Sequence, residues 1–206
     1  MQKTHEVEDL RVRRSRKMLQ QALIELTVEK GFNAVTVRDL TERAMVNRST
    51  FYRHYTDKYD LLEQYMQDVG ALTSDDELAD EKIGQMAEGE PSGLVRLLRH
   101  VQKYGDFYRV MLGQNGDAAF SQRFRQNSEK RFRYLLENFG AEEDPNGPPL
   151  DFRLNYVSCA GVGAILWWLE NGQPVAVEQM AVWLGQMSSI SAGLSLDLHA
   201  KAAGSN

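Results

Sequence analysis

Apolar residues recur along most of the chain at spacings of three and four, and strand-like alternation is nearly absent, so the pattern predicts an all-α protein. Leu19, Ala22, Leu23 and Leu26 fall at i, i+3, i+4 and i+7. They predict an amphipathic helix over about 14–30, stopped by Gly31, which can take up the left-handed cap. Thr36-Val37-Arg38-Asp39 has the Ser/Thr-x-x-acid form of a capping box, and Val37, Leu40 and Ala44 then supply an inward stripe only two turns long. After a tight break at Ala44-Met45-Val46, Asn47 is placed to cap a short third helix with Phe51 and Tyr55 inward. Asp57 can cap a fourth helix, with Leu62, Tyr65, Met66 and Val69 at core spacing.

Beyond Val69 the pattern lapses into an acidic, small-residue stretch, TSDDELADEKIGQMAEGEPSG, which reads as a connection with one weak helix over about 78–86. A domain boundary near residue 70 follows, dividing the chain into 1–70 and 71–206. Helical spacing resumes over about 93–104 (Leu94, Leu97, Leu98, Val101), 107–112 and 117–139. The Pro/Gly-rich break AEEDPNGPP then precedes two strongly apolar helices, about 151–171 and 175–196.

Composition narrows the function. Apolar residues make up 42 % and charged residues 26 % of the 206, ordinary globular values, and no apolar run reaches the roughly 18 residues that cross a bilayer. The opening MQKTHEVEDLRVRRSRK lacks a secretory apolar stretch, so the expected location is the cytoplasm. One cysteine, Cys159, and scattered His5, His54, His100 and His199 give no CxxC or HExxH spacing, so neither a metal nor another cofactor is expected. Charge is unevenly spread. Residues 1–60 hold 12 basic against 9 acidic side chains, leaving 12 against 20 for 61–206. The cluster Arg11, Arg13, Arg14, Arg16 and Lys17 suits attraction to a polyanion, although a merely solvated surface explains an isolated cluster equally well.

Two short helices separated by a three-residue break have the proportions of a helix-turn-helix. On a helical wheel, the face opposite Phe51 and Tyr55 collects Ser49, Thr50 and Arg53, flanked by Tyr52 and His54. Such side chains read guanine edges and phosphates, and a helix of this width fits the major groove. Arg38, Asn47, Arg48 and Lys58 surround the same surface. The run TVRDLTERAMVNRSTFYRHYTDKYDLL resembles the amino-terminal domain of the TetR/AcrR family of one-component transcription regulators, over about residues 14–66. The resemblance implies a homodimer on a palindromic double-stranded DNA operator. It also implies DNA contacts from Thr36, Arg38, Asn47, Arg48, Ser49, Thr50, Tyr52, Arg53, His54 and Lys58. Met45 departs from the family pattern by occupying the usual turn glycine, which predicts a positive φ on a side-chain-bearing residue. With the later FYRVMLGQNG, the sequence is similar to the branch that includes the dihydroxyacetone-kinase activator subgroup, some of whose members activate or need a protein partner.

The last two predicted helices read as a dimerisation element. SCAGVGA within 151–171 lets another helix approach closely, and Ile165 to Leu169 make that helix apolar nearly all round. Val177, Met180, Ala181, Leu184, Met187, Ser188, Ser191 and Leu194 form a stripe, widened by Trp183 and Ile190, that a two-fold four-helix bundle would cover. Intramolecular core is the alternative. His100, Tyr104, Phe107, Tyr108, Met111, Phe124, Tyr156, Cys159 and Trp167 are side chains of the kind that line an effector pocket, and equally ordinary core residues. No nucleophile–base–acid constellation or phosphate loop stands out, and Cys159 lies in an apolar helix that disfavours a thiolate, so an enzyme is not expected. The reading is a helix-turn-helix DNA-binding domain followed by a helical-bundle dimerisation and effector domain. It would act as a repressor released by a small molecule or, alternatively, as an activator or co-regulator under a protein partner.

Overall fold

The structure, a computed structural model, describes residues 2–73, 93–114, 116–139 and 147–192. Every element among them is helical: α1 (Gln2–Lys30), a 3₁₀ turn (Phe32–Ala34), α2 (Val37–Arg43), α3 (Arg48–His54), α4 (Lys58–Thr73), α5 (Gly93–Lys103), α6 (Gly105–Leu112), α7 (Ala118–Phe139), α8 (Leu150–Glu170) and α9 (Val177–Ala192). The all-α expectation holds. α1 starts a dozen residues before the predicted start because its first part carries no apolar stripe for periodicity to detect, yet contains no glycine or proline to stop a helix. The helix expected over about 78–86 lies outside the described residues.

Cα packing divides the chain into two compact units, Met1–Ser121 and Gln122–Asn206. The expected boundary near 70 follows composition, whereas packing groups α5 and α6 with the first four helices: α5 lies on α4 and α6 on α1. The reason is apolar. Leu98, Val101, Phe107, Tyr108 and Met111 are all buried, as are Leu19, Ala22, Leu23 and Leu26 of α1.

Polar contacts set the register of α2 on α1. Arg43 grips Glu29 with two parallel bonds, Nη1 to Oε1 and Nη2 to Oε2, each 2.7 Å, and reaches Glu25 at 3.1 Å. This planar fork fixes orientation as well as distance. Asp39 closes the predicted capping box with Thr36 and meets Lys30 Nζ at 2.6 Å. Those bonds hold its carboxyl well below the usual carboxylate range.

Where α4, α5 and α6 meet, Tyr65, His100, Tyr104, Phe107, Tyr108 and Phe120 form a chain of edge-on and tilted ring contacts, with centroids 4.8–6.0 Å apart. The Tyr65 hydroxyl is hydrogen-bonded to His100 Nε2 at 2.9 Å. Burial, then its bond to and charge coupling with Tyr108, pushes the Tyr65 phenol strongly up.

In the second unit α8 packs against α9. The connection turns on Gly172 (φ 72°), with Gly172 N–H donating to Leu169 O and Gln173 N–H to Trp168 O, a Schellman closure. The fully buried Trp168 donates Nε1–H to Val175 O at 3.0 Å. Arg133 of α7 pairs with Asp151 of α8 at 2.9 Å.

Burial, with Lys103 nearby, lowers the His100 pKa from 6.5 to about 4. The unfolded chain therefore takes up a proton near 6.5 that the folded chain refuses until about 4. This contribution to stability is complete above 6.5 and is lost as pH falls from 6.5 through 4. Urea unfolding at pH 7 and pH 5 should show wild-type stability falling with acid and His100→Gln falling less; parallel losses would remove His100 as the cause.

Candidate DNA interface

The turn between α2 and α3 is built on an unusual residue. Val46 N–H donates to Thr41 O at 3.0 Å and Met45 N–H to Glu42 O at 3.2 Å, the two bonds of a Schellman motif. Its left-handed C′ position, normally glycine, is Met45, with φ 53° and 83 % of its surface exposed. The expected positive φ on a side-chain-bearing residue is what the backbone shows. α8 makes the same closure with glycine, so the geometry is standard and only the residue is strained.

α3 starts at Asn47, whose backbone carbonyl accepts from Thr50 and Phe51 N–H at 2.9 and 3.1 Å. Asn47 occupies the N-cap, as expected, but its side chain makes no capping bond. The helix is only seven residues long, so its position comes from packing rather than from its own hydrogen bonds. Phe51 is fully buried and Tyr55 nearly so, their rings 5.5 Å apart. Burial also pushes the Tyr55 phenol up to about 12. With that edge inward, Arg48, Ser49, Tyr52 and Arg53 are exposed and Thr50 and His54 are half-buried. The ring of Tyr52 stands edge-on to Phe51 at 5.4 Å, which braces an exposed aromatic beside the donors.

Arg16 of α1 was not among the expected contacts, yet the charges of Arg16 and Arg53 add to burial in lowering the His54 pKa. That places one cation of the α1 cluster at the far edge of α3. The chain pattern carried a signal, since Arg16 belongs to the basic cluster before the first apolar stripe, but helical spacing alone does not bring α1 to α3.

Three expected contacts are committed elsewhere. The Thr36 hydroxyl donates to Asp39 Oδ2 at 2.6 Å and accepts from Asp39 N–H at 3.2 Å. Arg38 Nε donates to Glu42 Oε1 at 2.7 Å on the surface, leaving the rest of its exposed fork outward. Lys58 Nζ donates to the carbonyls of Phe32, Asn33 and Val35 at 3.0, 2.9 and 2.9 Å. It also lies 4.8 Å from the Phe32 ring centroid and 5.3 Å from that of Tyr59, and burial lowers its pKa.

The expected pocket residues fall in both units. His100, Tyr104, Phe107, Tyr108 and Met111 belong to the first unit, in or beside the packed aromatic cluster, and Phe124 is buried on α7 in the second. Tyr156, Cys159 and Trp167 are exposed on α8, so Cys159 does not sit in the apolar surroundings expected of it; Arg125 Nη1 lies 3.7 Å from its Sγ. Tyr156 and Trp167 border a groove of about 450 Å³ between α8 and α9, completed by Gly161, Ala164, Trp183 and Met187.

The expected dimer stripe also divides. Val177 and Met180 are buried, Ala181, Leu184 and Ser188 half-buried, and Met187 64 % exposed. The Ser191 side chain and Leu194 lie outside the described residues. Among the described residues, no group of His, Cys, Asp and Glu is arranged to hold a metal ion, and no helix is long and apolar enough to cross a membrane.

Two family profiles match the chain. One, described as bacterial regulatory proteins of the tetR family, covers residues 20–65; the other, described as a transcriptional regulator C-terminal region, covers 91–189. YxbF of Bacillus subtilis strain 168, an uncharacterized helix-turn-helix-type transcriptional regulator, is 38 % identical over 60 residues, 29 % of this chain but 16 % of that protein. A TetR transcriptional regulator from Streptococcus agalactiae 2603V is similar in structure, with TM-score 0.61 and 25 % identity over 89 % of this chain and 98 % of that one. The dihydroxyacetone kinase operon activator DhaS gives TM-score 0.63 over 87 % of this chain and 97 % of that one, and at 17 % identity speaks to the fold alone.

Left-handed backbone costs a side-chain-bearing residue about 1–2 kcal/mol, and glycine returns about 0.5–1 kcal/mol of that in backbone entropy. Met45→Gly should therefore raise unfolding free energy by up to about 1 kcal/mol, and the β-branched Met45→Ile should lower it. Chemical denaturation decides; the opposite order would show that Met45 makes stabilising contacts despite its exposure.

Proposed function

The chain belongs to the TetR family of bacterial transcriptional regulators, and on that premise we propose that it is a homodimeric repressor, holding a palindromic operator in the cytoplasm and released by a small-molecule effector. α3 is its recognition helix, with Arg53 and Arg48 on base edges or phosphates and Ser49, Thr50 and Tyr52 on the backbone. Arg16 extends the positive edge from α1.

The observation that carries the dimer is the open apolar face of α8 and α9. Tyr156, Trp167, Trp183 and Met187 are 56, 46, 41 and 64 % exposed, an apolar cluster of the kind that marks an interaction surface. Between them run small residues. A Cβ placed on Gly161 or Gly163 meets nothing within 4 Å, so these two positions leave room for a close approach. A second copy supplies the missing helices through a two-fold, four-helix contact.

Effector release is supported by the Tyr65–His100–Tyr108 cluster. It places buried polar groups on the helix that begins at the recognition domain, so a molecule competing for those bonds would shift α4. A displaced α4 changes the separation of two recognition helices, and half-sites about 34–36 Å apart lose simultaneous engagement.

Light scattering should give twice the chain mass of 23.4 kDa. Gly161→Phe, filling a position open in the chain alone, should give a folded monomer; a wild-type monomer at micromolar concentration contradicts the dimer. Arg53→Ala should cost about 1–3 kcal/mol of operator binding and relax base preference at one position. Unchanged affinity and preference would remove α3 from base readout. In a thermal-shift screen, an effector at 100 times its dissociation constant should add about 2.7 kcal/mol. No stabilising compound in a broad metabolite panel contradicts small-molecule release.

A further inference from the structure

The start of α4 is built unlike a phosphate-binding site. An ammonium has three N–H donors, and those of Lys58 go to three carbonyls within 3.0 Å. Directly before it, Asp57 Oδ1 accepts from Tyr59 N–H at 2.8 Å and Asp60 N–H at 2.9 Å, filling the backbone donors that would otherwise meet an anion. Asp60 adds a second carboxylate, which accepts from Thr56 N–H at 2.8 Å. A DNA phosphate arriving here would face two carboxylates and an ammonium whose donors are spent.

The carbonyls that Lys58 holds are those of the turn Phe32–Val35, which leads straight into the Thr36 cap of α2. Val35 and Lys58 bracket residues 36–57, the whole helix-turn-helix. One ammonium therefore closes the loop that carries α2 and α3, with Phe32 and Tyr59 packed beside it.

We propose that Lys58 is a positioning residue for DNA recognition, clasping the two ends of the helix-turn-helix rather than contacting phosphate. The proposal rests on α3 being the recognition helix. Specific binding then depends on Lys58 through the placement of α2 and α3, while non-specific binding, which is phosphate contact alone, does not.

The test uses the full chain and a duplex that the wild-type protein selects from random sequence, with affinity measured from 50 to 200 mM salt, below the melting temperature of every variant. A lost phosphate contact lowers the slope of log K against log salt by about 0.9. Lys58→Met should leave the slope unchanged and lower the ratio of selected to random duplex binding about tenfold, or 1.4 kcal/mol. Lys58→Arg should not restore that ratio, because a planar fork cannot reproduce three converging bonds between two rings. Arg48→Met, as the phosphate reference, should lose the slope that Lys58→Met keeps. In the wild type, the Lys58 Cε resonance should not move when the duplex is added, a readout independent of how the variants fold. A slope lost in Lys58→Met, full rescue by Lys58→Arg, or a Lys58 resonance shifted by DNA overturns the proposal. Slopes unchanged in Arg48→Met as well, with no resonance of α3 moved by the duplex, would instead sink α3 as the recognition helix.

Discussion

Neither α2 nor α3 can stand alone. Each has seven residues, so few of its backbone groups find partners within the helix and nucleation is not repaid in water. Their geometry is therefore borrowed from constraints beyond the helices' own ladders, among them the Arg43 fork on Glu29 of α1. The Thr36–Asp39 box fixes where α2 starts, and the Schellman bonds at Met45 and Val46 fix how it stops. Phe51 and Tyr55 pin the inward edge of α3, and the Lys58 clasp holds the two ends of the loop together. The exposed donors of α3 are preorganised only as far as these constraints are met, which is why so much chemistry converges on residues 30–60.

The second unit solves a different problem. α8 buries Leu154, Val157, Ile165, Trp168 and Leu169 on one side and leaves Phe152, Tyr156 and Trp167 outward on another. A helix apolar on both sides has more surface to cover than its own unit supplies. The exposed donors of α3 belong to the first unit, and the uncovered apolar face of α8 and α9 to the second.

Much of this was legible in the chain, and the failures have physical causes. The capping box, the glycine stop of α1, the inward pair Phe51/Tyr55 and the positive φ at Met45 are local, and one sequence shows them. For Lys58, spacing shows that a cation stands at a helix start, but not that a turn 23 residues earlier points its carbonyls there. Asn47 was placed correctly, yet its backbone carbonyl and not its side chain does the bonding. The candidate pocket residues fall in both units, and aromatic character says only that a side chain is wanted near other rings, not which ones. His100 and Tyr108 meet Tyr65, whereas Tyr156 and Trp167 face the open groove.

The central claim is that one short helix, held from outside, reads the major groove twice in a two-fold assembly. Hydroxyl-radical and methylation footprints of the full-length protein on its selected duplex test it most directly. Two protected major-groove segments on one face of the DNA, centred about 34–36 Å or a multiple apart, are the predicted result. A single protected segment, or protection confined to the minor groove, would contradict it.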